Sequence, residues 1–195
     1  MIPSNLLLAA YASGWFPMAD DQGHISWYSP DPRGIIPLER FHASARLRRV
    51  VRQGAFRIAI DSAFDRVIRA CAETDRGPDD AGTWISAEIV DSYCALHDLG
   101  YAHSVEAWQE DQLVGGLYGV ALGGAFFGES MFHRVTDASK VVLVALVERL
   151  RARGFALLDT QWVTPHLEQF GAVEISRSDY MRMLETSLKV EASFV

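Results

Sequence analysis

Ala102-His-Ser-Val-Glu-Ala-Trp108, Leu113-Val-Gly-Gly-Leu-Tyr-Gly-Val-Ala-Leu122 and Ala125-Phe-Phe-Gly-Glu-Ser-Met-Phe132 are the stretches that decide the fold class. Each is apolar and strand-like, and the breaks between them hold turn residues: Asp111 in the first, Gly123-Gly124 in the second. This pattern predicts an antiparallel meander of consecutive strands. Downstream, an amphipathic helix is expected from about Asp137 to Arg153, stopped by Gly154. Leu157 to Thr160 reads as a short buried strand, Pro165 to Phe170 as a turn of helix, and Gly171 to Ile175 as extended. Ser176 and Asp179 have the spacing of a capping box opening a last helix to about Val190.

Upstream, Ser86 caps a helix reaching Leu99, with Gly100 after it, and the charged, Gly/Pro-rich stretch Asp75 to Gly82 reads as a flexible loop. Ser62 to Glu73 and His42 to Gln53 have helical spacing, and Phe56 to Ile60 alternates like a strand. Near the N-terminus, Ser4 is the expected cap of a short helix, Leu6 to Ala12, ended by Gly14. The aromatic and proline-rich residues Trp15 to Met18 and Ile25 to Arg33 then form an extended segment, either lining a pocket or making a small lobe's core. The order is α+β. It predicts a small N-terminal lobe over 1–34, followed over 35–195 by a mixed, mainly antiparallel sheet flanked by helices, the order of a GNAT-type acyltransferase domain.

The 195 residues are enough for one well-buried core. A formal charge of −7 argues against a protein that coats nucleic acid over its whole surface, but leaves room for a local basic patch. Only Lys140 and Lys189 are lysines; the other basic residues are arginines. Two cysteines, Cys71 and Cys94, do not make a disulfide framework, and a reducing cytoplasm is expected. The uncharged run Leu113 to Gly128 is short for a membrane span and full of glycine. No signal-peptide leader is visible at the N-terminus.

Polar groups inside the apolar strands are the candidate chemistry. Asp159 and Gln161 are two apart and would project from one strand face. They form either a strand-end carboxylate capping the next helix beside an exposed amide, or a pair that relieves an attacking ammonium of its proton. Glu129, placed at the end of its strand, is either a bridging salt-bridge partner or a grip for a cationic substrate. The residues from Ser130 to Thr136 lead into a helix N-terminus, which suits an anion or a carbonyl oxygen, or is an ordinary connection. Arg46, Arg48, Arg49 and Arg52 lie in a stretch without acidic residues, and read equally as a solvated face or a phosphate-backbone footprint.

Other chemistries fail on spacing. The six histidines include no pair at metal-ligand spacing. The run Gly128-Glu-Ser-Met-Phe132 lacks the second glycine of a nucleophile elbow. No Walker, dinucleotide-type or GNAT pyrophosphate-binding turn is present, which leaves a GNAT-like chain without a seat for coenzyme A.

In Tyr11-Ala-Ser-Gly-Trp-Phe-Pro17, Trp27-Tyr-Ser-Pro-Asp-Pro-Arg33, Gly82-Thr-Trp-Ile85, Leu113 to Val120, Gly128 to Phe132, Ala138-Ser-Lys140, Asp159-Thr-Gln161 and Arg177-Ser-Asp-Tyr180, the chain closely resembles the leucyl/phenylalanyl-tRNA–protein transferase family. The resemblance implies a cytoplasmic enzyme that moves Leu or Phe, less often Met, from aminoacyl-tRNA to the N-terminal Arg or Lys of a protein, marking it for N-degron degradation. It implies no cofactor, metal or membrane partner. It makes Asp159 and Gln161 the catalytic relay and Glu129 a neighbour of the aminoacyl end, with Ser130 and Tyr11 as further substrate-binding residues. Trp84, with Met18 beside it, would meet the terminal adenosine; Phe126 and Leu117 would line the side-chain pocket; Arg48, Arg49 and Arg52 would face the tRNA. Met18 stands where the family usually has Trp, Leu117 where it often has Met, and a smaller N-terminal lobe is expected. The rival readings are an acyl-CoA-dependent GNAT N-acyltransferase and a non-catalytic module binding tRNA or N-degrons.

Overall fold

The meander forms the middle of a larger sheet. The computed structural model describes residues 1–74 and 83–195, so the expected loop over 75–82 lies outside the described residues. β5 (Ala102–Gln109), β6 (Gln112–Leu122) and β7 (Ala125–His133) pair antiparallel in sequence order. β4 (Arg57–Ile60) joins the β5 edge. On the other side, β8 (Leu157–Gln161) runs parallel to β7, followed by β3 (Arg33–Ile35) and β9 (Val173–Ile175). The order is β4-β5-β6-β7-β8-β3-β9, with β7–β8 the parallel neighbours. The expected α+β class with a mixed, mainly antiparallel sheet flanked by helices is present.

Local sequence chemistry starts the helices. Ser86 accepts from the Ile89 N–H at 3.3 Å to open α4 (Ala87–Asp98), and Ser44 does the same for α2 (Ala45–Arg52) from Leu47 at 3.2 Å. Ser176 accepts from the Asp179 N–H at 3.1 Å at the start of α7 (Arg177–Ser187). Ser4 is not a cap: α1 (Ser4–Ala12) starts one position earlier, with the Leu6 and Leu7 N–H groups donating to the Pro3 carbonyl at 3.0 and 3.1 Å. The segment after Gly14 forms a hairpin of β1 (Phe16–Ala19) and β2 (Ile25–Tyr28), its turn held by the Asp20 carboxylate accepting from the Gln22 and His24 N–H groups. Arg33 to Ile35 then enter the main sheet between β8 and β9. Gly34 permits this: a Cβ there would lie 2.4 Å from the Trp162 carbonyl carbon.

Two cores cover the sheet. One packs α1, α3 (Phe64–Ala72), α4 and α7 with the hairpin, and includes Phe127 and Phe132. The other packs α2 and α5 (Ala138–Ala152) with the C-terminal Phe194, and takes Phe126 and Met131. Residues five apart on a strand should face opposite ways, yet Phe127 and Phe132 share a core, as do Phe126 and Met131. The register explains it. Tyr118 pairs with Ser130 and Gly119 with Gly128, leaving Glu129 as the extra residue of a β-bulge. Gly119 fits this crowding, since a Cβ there would lie 2.3 Å from the Phe127 carbonyl oxygen. The expectation that Glu129 ends its strand is therefore corrected: β7 continues to His133.

Candidate active site

β7 and β8 pair only from Ala125–Leu157 to Phe127–Asp159. Beyond that point β7 bulges at Glu129, while Gln161 adopts a left-handed conformation with φ 60°. A cavity of about 280 Å³ lies against both departures. Its apolar wall comes from Leu117 on β6, Met131 on β7, Leu143 and Leu146 on α5, and Leu158 on β8. Phe16, Met18, Trp84 and Trp162 add a more open aromatic side. Glu129, Ser130, Thr160, Gln161, Thr164 and His166 are among the polar residues that line it.

Of the residues singled out from sequence, Glu129, Ser130, Gln161, Trp84, Leu117 and Met18 all line this cavity. Phe126 does not. It is fully buried on the same side of the sheet as Met131 but short of the cavity, stacked at 5.1 Å on Phe194. Tyr11 also stands behind the wall: its hydroxyl hydrogen-bonds the Tyr93 hydroxyl, and Tyr93 donates to Glu129 Oε2 at 3.4 Å. Burial raises the pKa of both tyrosines, and the Glu129 charge raises it further, so both remain protonated.

Asp159 is 0% exposed and outside the cavity lining. Arg33 Nε donates to its Oδ1 at 3.0 Å and Arg33 Nη2 to its Oδ2 at 2.7 Å, a bidentate pair. The Tyr180 hydroxyl donates to Oδ2 at 2.8 Å, and the Gln161 backbone N–H to Oδ1 at 2.9 Å. Burial disfavours the Arg33 charge, but the hydrogen bond and charge of Asp159 outweigh it and hold the guanidinium protonated. Arg33 Nη1 also donates to the Gly14 carbonyl at 2.8 Å, tying the N-terminal segment to this cluster. Asp159 is thus closed off from the cavity. Asp159 touches Gln161 through the main chain, and helix α6 (Pro165–Glu168) is capped by Thr164, not by Asp159.

Gln161 Nε2 donates to Glu129 Oε1 at 3.4 Å. Burial pushes the Glu129 carboxyl up to about 8; hydrogen bonds from Tyr11 and Tyr93 pull it down, the Asp159 charge pushes it up, and Arg33 lowers it. Glu129 therefore changes charge near neutral pH.

On α2, Arg46 is bound bidentately by Asp137 at 3.0 and 2.7 Å, where Asp137 begins α5 with φ 70°. The helix start after Ser130 to Thr136 thus already carries a carboxylate. Arg48, Arg49 and Arg52 are exposed and, among the described residues, make no ion pair. Sequence reasoning missed Arg33, Tyr93, Tyr180, Met131, Leu143 and Leu146. Leu143 and Leu146 were readable as an i, i+3 pair on the apolar face of α5; Arg33 carried no local signal of its distant partner.

The family model described as leucyl/phenylalanyl-tRNA protein transferase matches residues 35–185, and that of its N-terminal domain matches residues 3–31. A relative from Herpetosiphon aurantiacus named leucyl/phenylalanyl-tRNA–protein transferase is 56% identical over 191 residues, covering 97% of this chain and 96% of its own. One of the same name from Gloeobacter violaceus is also 56% identical, with the same coverage. A third, from Rhodopseudomonas palustris, is 55% identical over 99% of this chain and 86% of its own. Among solved structures, a ribosomal-protein-alanine N-acetyltransferase from Brucella melitensis biovar Abortus 2308 is a distant likeness, with TM-score 0.40 and 17% identity over 59% of this chain and 85% of that one. The chain belongs to the leucyl/phenylalanyl-tRNA–protein transferase family.

Proposed function

We propose that this aminoacyltransferase takes Leu or Phe, and less readily Met, from its tRNA and joins it to the N-terminal Arg or Lys of an acceptor protein in the cytoplasm. The observation that carries this reading is the join of an apolar slot to a polar edge: Leu117, Met131, Leu143, Leu146 and Leu158 lead to Glu129 and Gln161. The slot suits a donor side chain, and the polar edge is where the ester carbonyl and the acceptor's amino group would meet.

The ester is already activated, so orienting the two substrates supplies much of the rate. Gln161 would orient the amine. Asp159 would act as a positioning residue, holding the strained Gln161 backbone while Arg33 and Tyr180 hold Asp159. Trp84 and Met18 would flank the terminal adenosine, and Arg48, Arg49 and Arg52 would meet the tRNA phosphates.

The test is a transfer assay with Leu-, Phe- and Met-charged tRNA against peptides tipped with Arg, Lys or Ala. Labelled Leu and Phe should reach the Arg- and Lys-tipped peptides. Transfer from acyl-CoA, or tRNA binding without transfer, would replace this reading with one of the rivals.

A further inference from the structure

Two carboxylates lie near the site, and they are not equivalent. Asp159 has both oxygens occupied by Arg33, Tyr180 and the Gln161 N–H, and does not line the cavity. Glu129 is the acidic side chain that does, among the described residues. The bulge puts it there, as the residue with no partner across β6. Gln161, its neighbour across the gap, ends in an amide, which accepts hydrogen bonds but is far too weak a base to keep a proton near neutral pH.

Resting on the transfer reading above, we propose that Glu129 is the group that takes the proton from the acceptor's terminal ammonium, with Tyr93 and Tyr11 as the positioning residues that hold its carboxylate. The ammonium gives one proton to Glu129. The freed lone pair forms a C–N bond to the ester carbonyl carbon, and the bond from that carbon to the ribose oxygen breaks. The leaving oxygen takes a second proton from the attacking nitrogen, and Glu129 releases its own to water on turnover. Charge and atoms balance with no further reactant.

The groups facing Glu129 set its basicity. Tyr11 on α1 and Tyr93 on α4 stabilise the carboxylate by hydrogen bonding, Arg33 on β3 stabilises it by charge, and Asp159 on β8 opposes it. Tyr180 on α7 closes the Asp159 side. The balance brings Glu129 to about 8, beside the roughly 7.7–8.0 of a free α-amino group, so transfer between them is close to thermoneutral.

The test compares Glu129→Gln with the unaltered chain in single-turnover transfer from Phe-tRNA to two Arg-tipped acceptors. One ends in the ordinary amine, the other in an aminooxy group that carries no proton at neutral pH. Loss of a general base should slow the amine acceptor about a hundredfold or more. The aminooxy acceptor should lose less than about tenfold, since its nucleophile is already unprotonated. Equal losses, or no loss, overturn the proposal alone: equal losses mean that Glu129 only grips the cationic acceptor, whose side chain both peptides share. No transfer by the unaltered chain to either acceptor overturns the proposed function and this inference with it. Tyr93→Phe is the second measurement. Removing a hydrogen bond to the carboxylate should move the pH midpoint of kcat/KM for the amine acceptor upward; an unmoved midpoint removes Tyr93 from the positioning role.

Discussion

Glu106 and Glu129 are both carboxylates set into the meander, and the regions around them differ in how many donors each receives. Glu106, on β5, accepts from the Ser62 N–H and hydroxyl, the Ala63 N–H and the Ser104 hydroxyl, the last at 2.6 Å. It is 0% exposed and holds the turn just before α3. Glu129, on β7, accepts at the longer distance of 3.4 Å from both Tyr93 and Gln161, is tied to Tyr11, and faces a cavity. Its pKa is pushed to about 8. A buried acid with a full set of short hydrogen bonds holds a fold together; one left short of them keeps capacity for a ligand. Asp159 belongs with Glu106 in this respect, although it lies beside the site.

The largest expected effect tests that grouping. Arg33→Ala strips the buried Asp159 of its cation and should lower the unfolding free energy by about 3–5 kcal/mol in a denaturant titration. A loss under about 1 kcal/mol would mean Asp159 is not structural in the sense used for Glu106. Next, the two glutamates should respond to Gln in opposite directions. Glu129 holds its proton more tightly folded than unfolded, so its penalty on stability grows as pH rises from about 4.5 to about 8 and stays level above. Glu129→Gln should therefore stabilise the protein by about 2–4 kcal/mol at pH 9 and by little at pH 4, seen as a change in the pH dependence of unfolding. Glu106→Gln puts an amide N–H among groups that already donate, and should cost about 1–3 kcal/mol at either pH.

Smaller effects sharpen the cavity side. Leu146→Phe narrows the apolar slot and should reduce kcat/KM for the Phe donor about tenfold more than for Leu, within the about 1–3 kcal/mol that a change of a methylene or so carries. Equal effects on both donors would place the side chain elsewhere. Least of all, replacing Arg48, Arg49 and Arg52 together should raise KM for charged tRNA severalfold at moderate salt and flatten its salt dependence. An unchanged salt slope returns α2 to a solvated face.

Much of the fold was legible because its signals are local. The strand pattern, the Asp111 and Gly123-Gly124 turns, and the Ser86 and Ser176 caps each depend on residues a few positions apart, and each is present. The cavity lining was partly legible for the same reason, since polar groups in apolar strands mark places where something must compensate them. What escaped was long-range. Arg33 lies 126 positions from Asp159, so the pairing that closes Asp159 off from the cavity leaves no trace near Asp159-Thr-Gln161. The i, i+2 rule for Asp159 and Gln161 assumed an unbroken strand, and the φ of 60° at Gln161 breaks it. Phe126 was placed in the side-chain pocket by the resemblance, and the structure stacks it on Phe194 instead, three residues before the bulge at Glu129.

That bulge also governs how the chain tolerates a change of length. Removing Gly128 would restore plain alternation with Phe127 and Phe132 still on one side and Phe126 and Met131 still on the other, since each pair would then stand four apart. A residue added at the Glu110–Asp111 corner only lengthens a turn between strands. At this one point of β7 the sheet would absorb a lost residue much as a loop absorbs a gained one, keeping both cores while Glu129 forfeits its unpaired position.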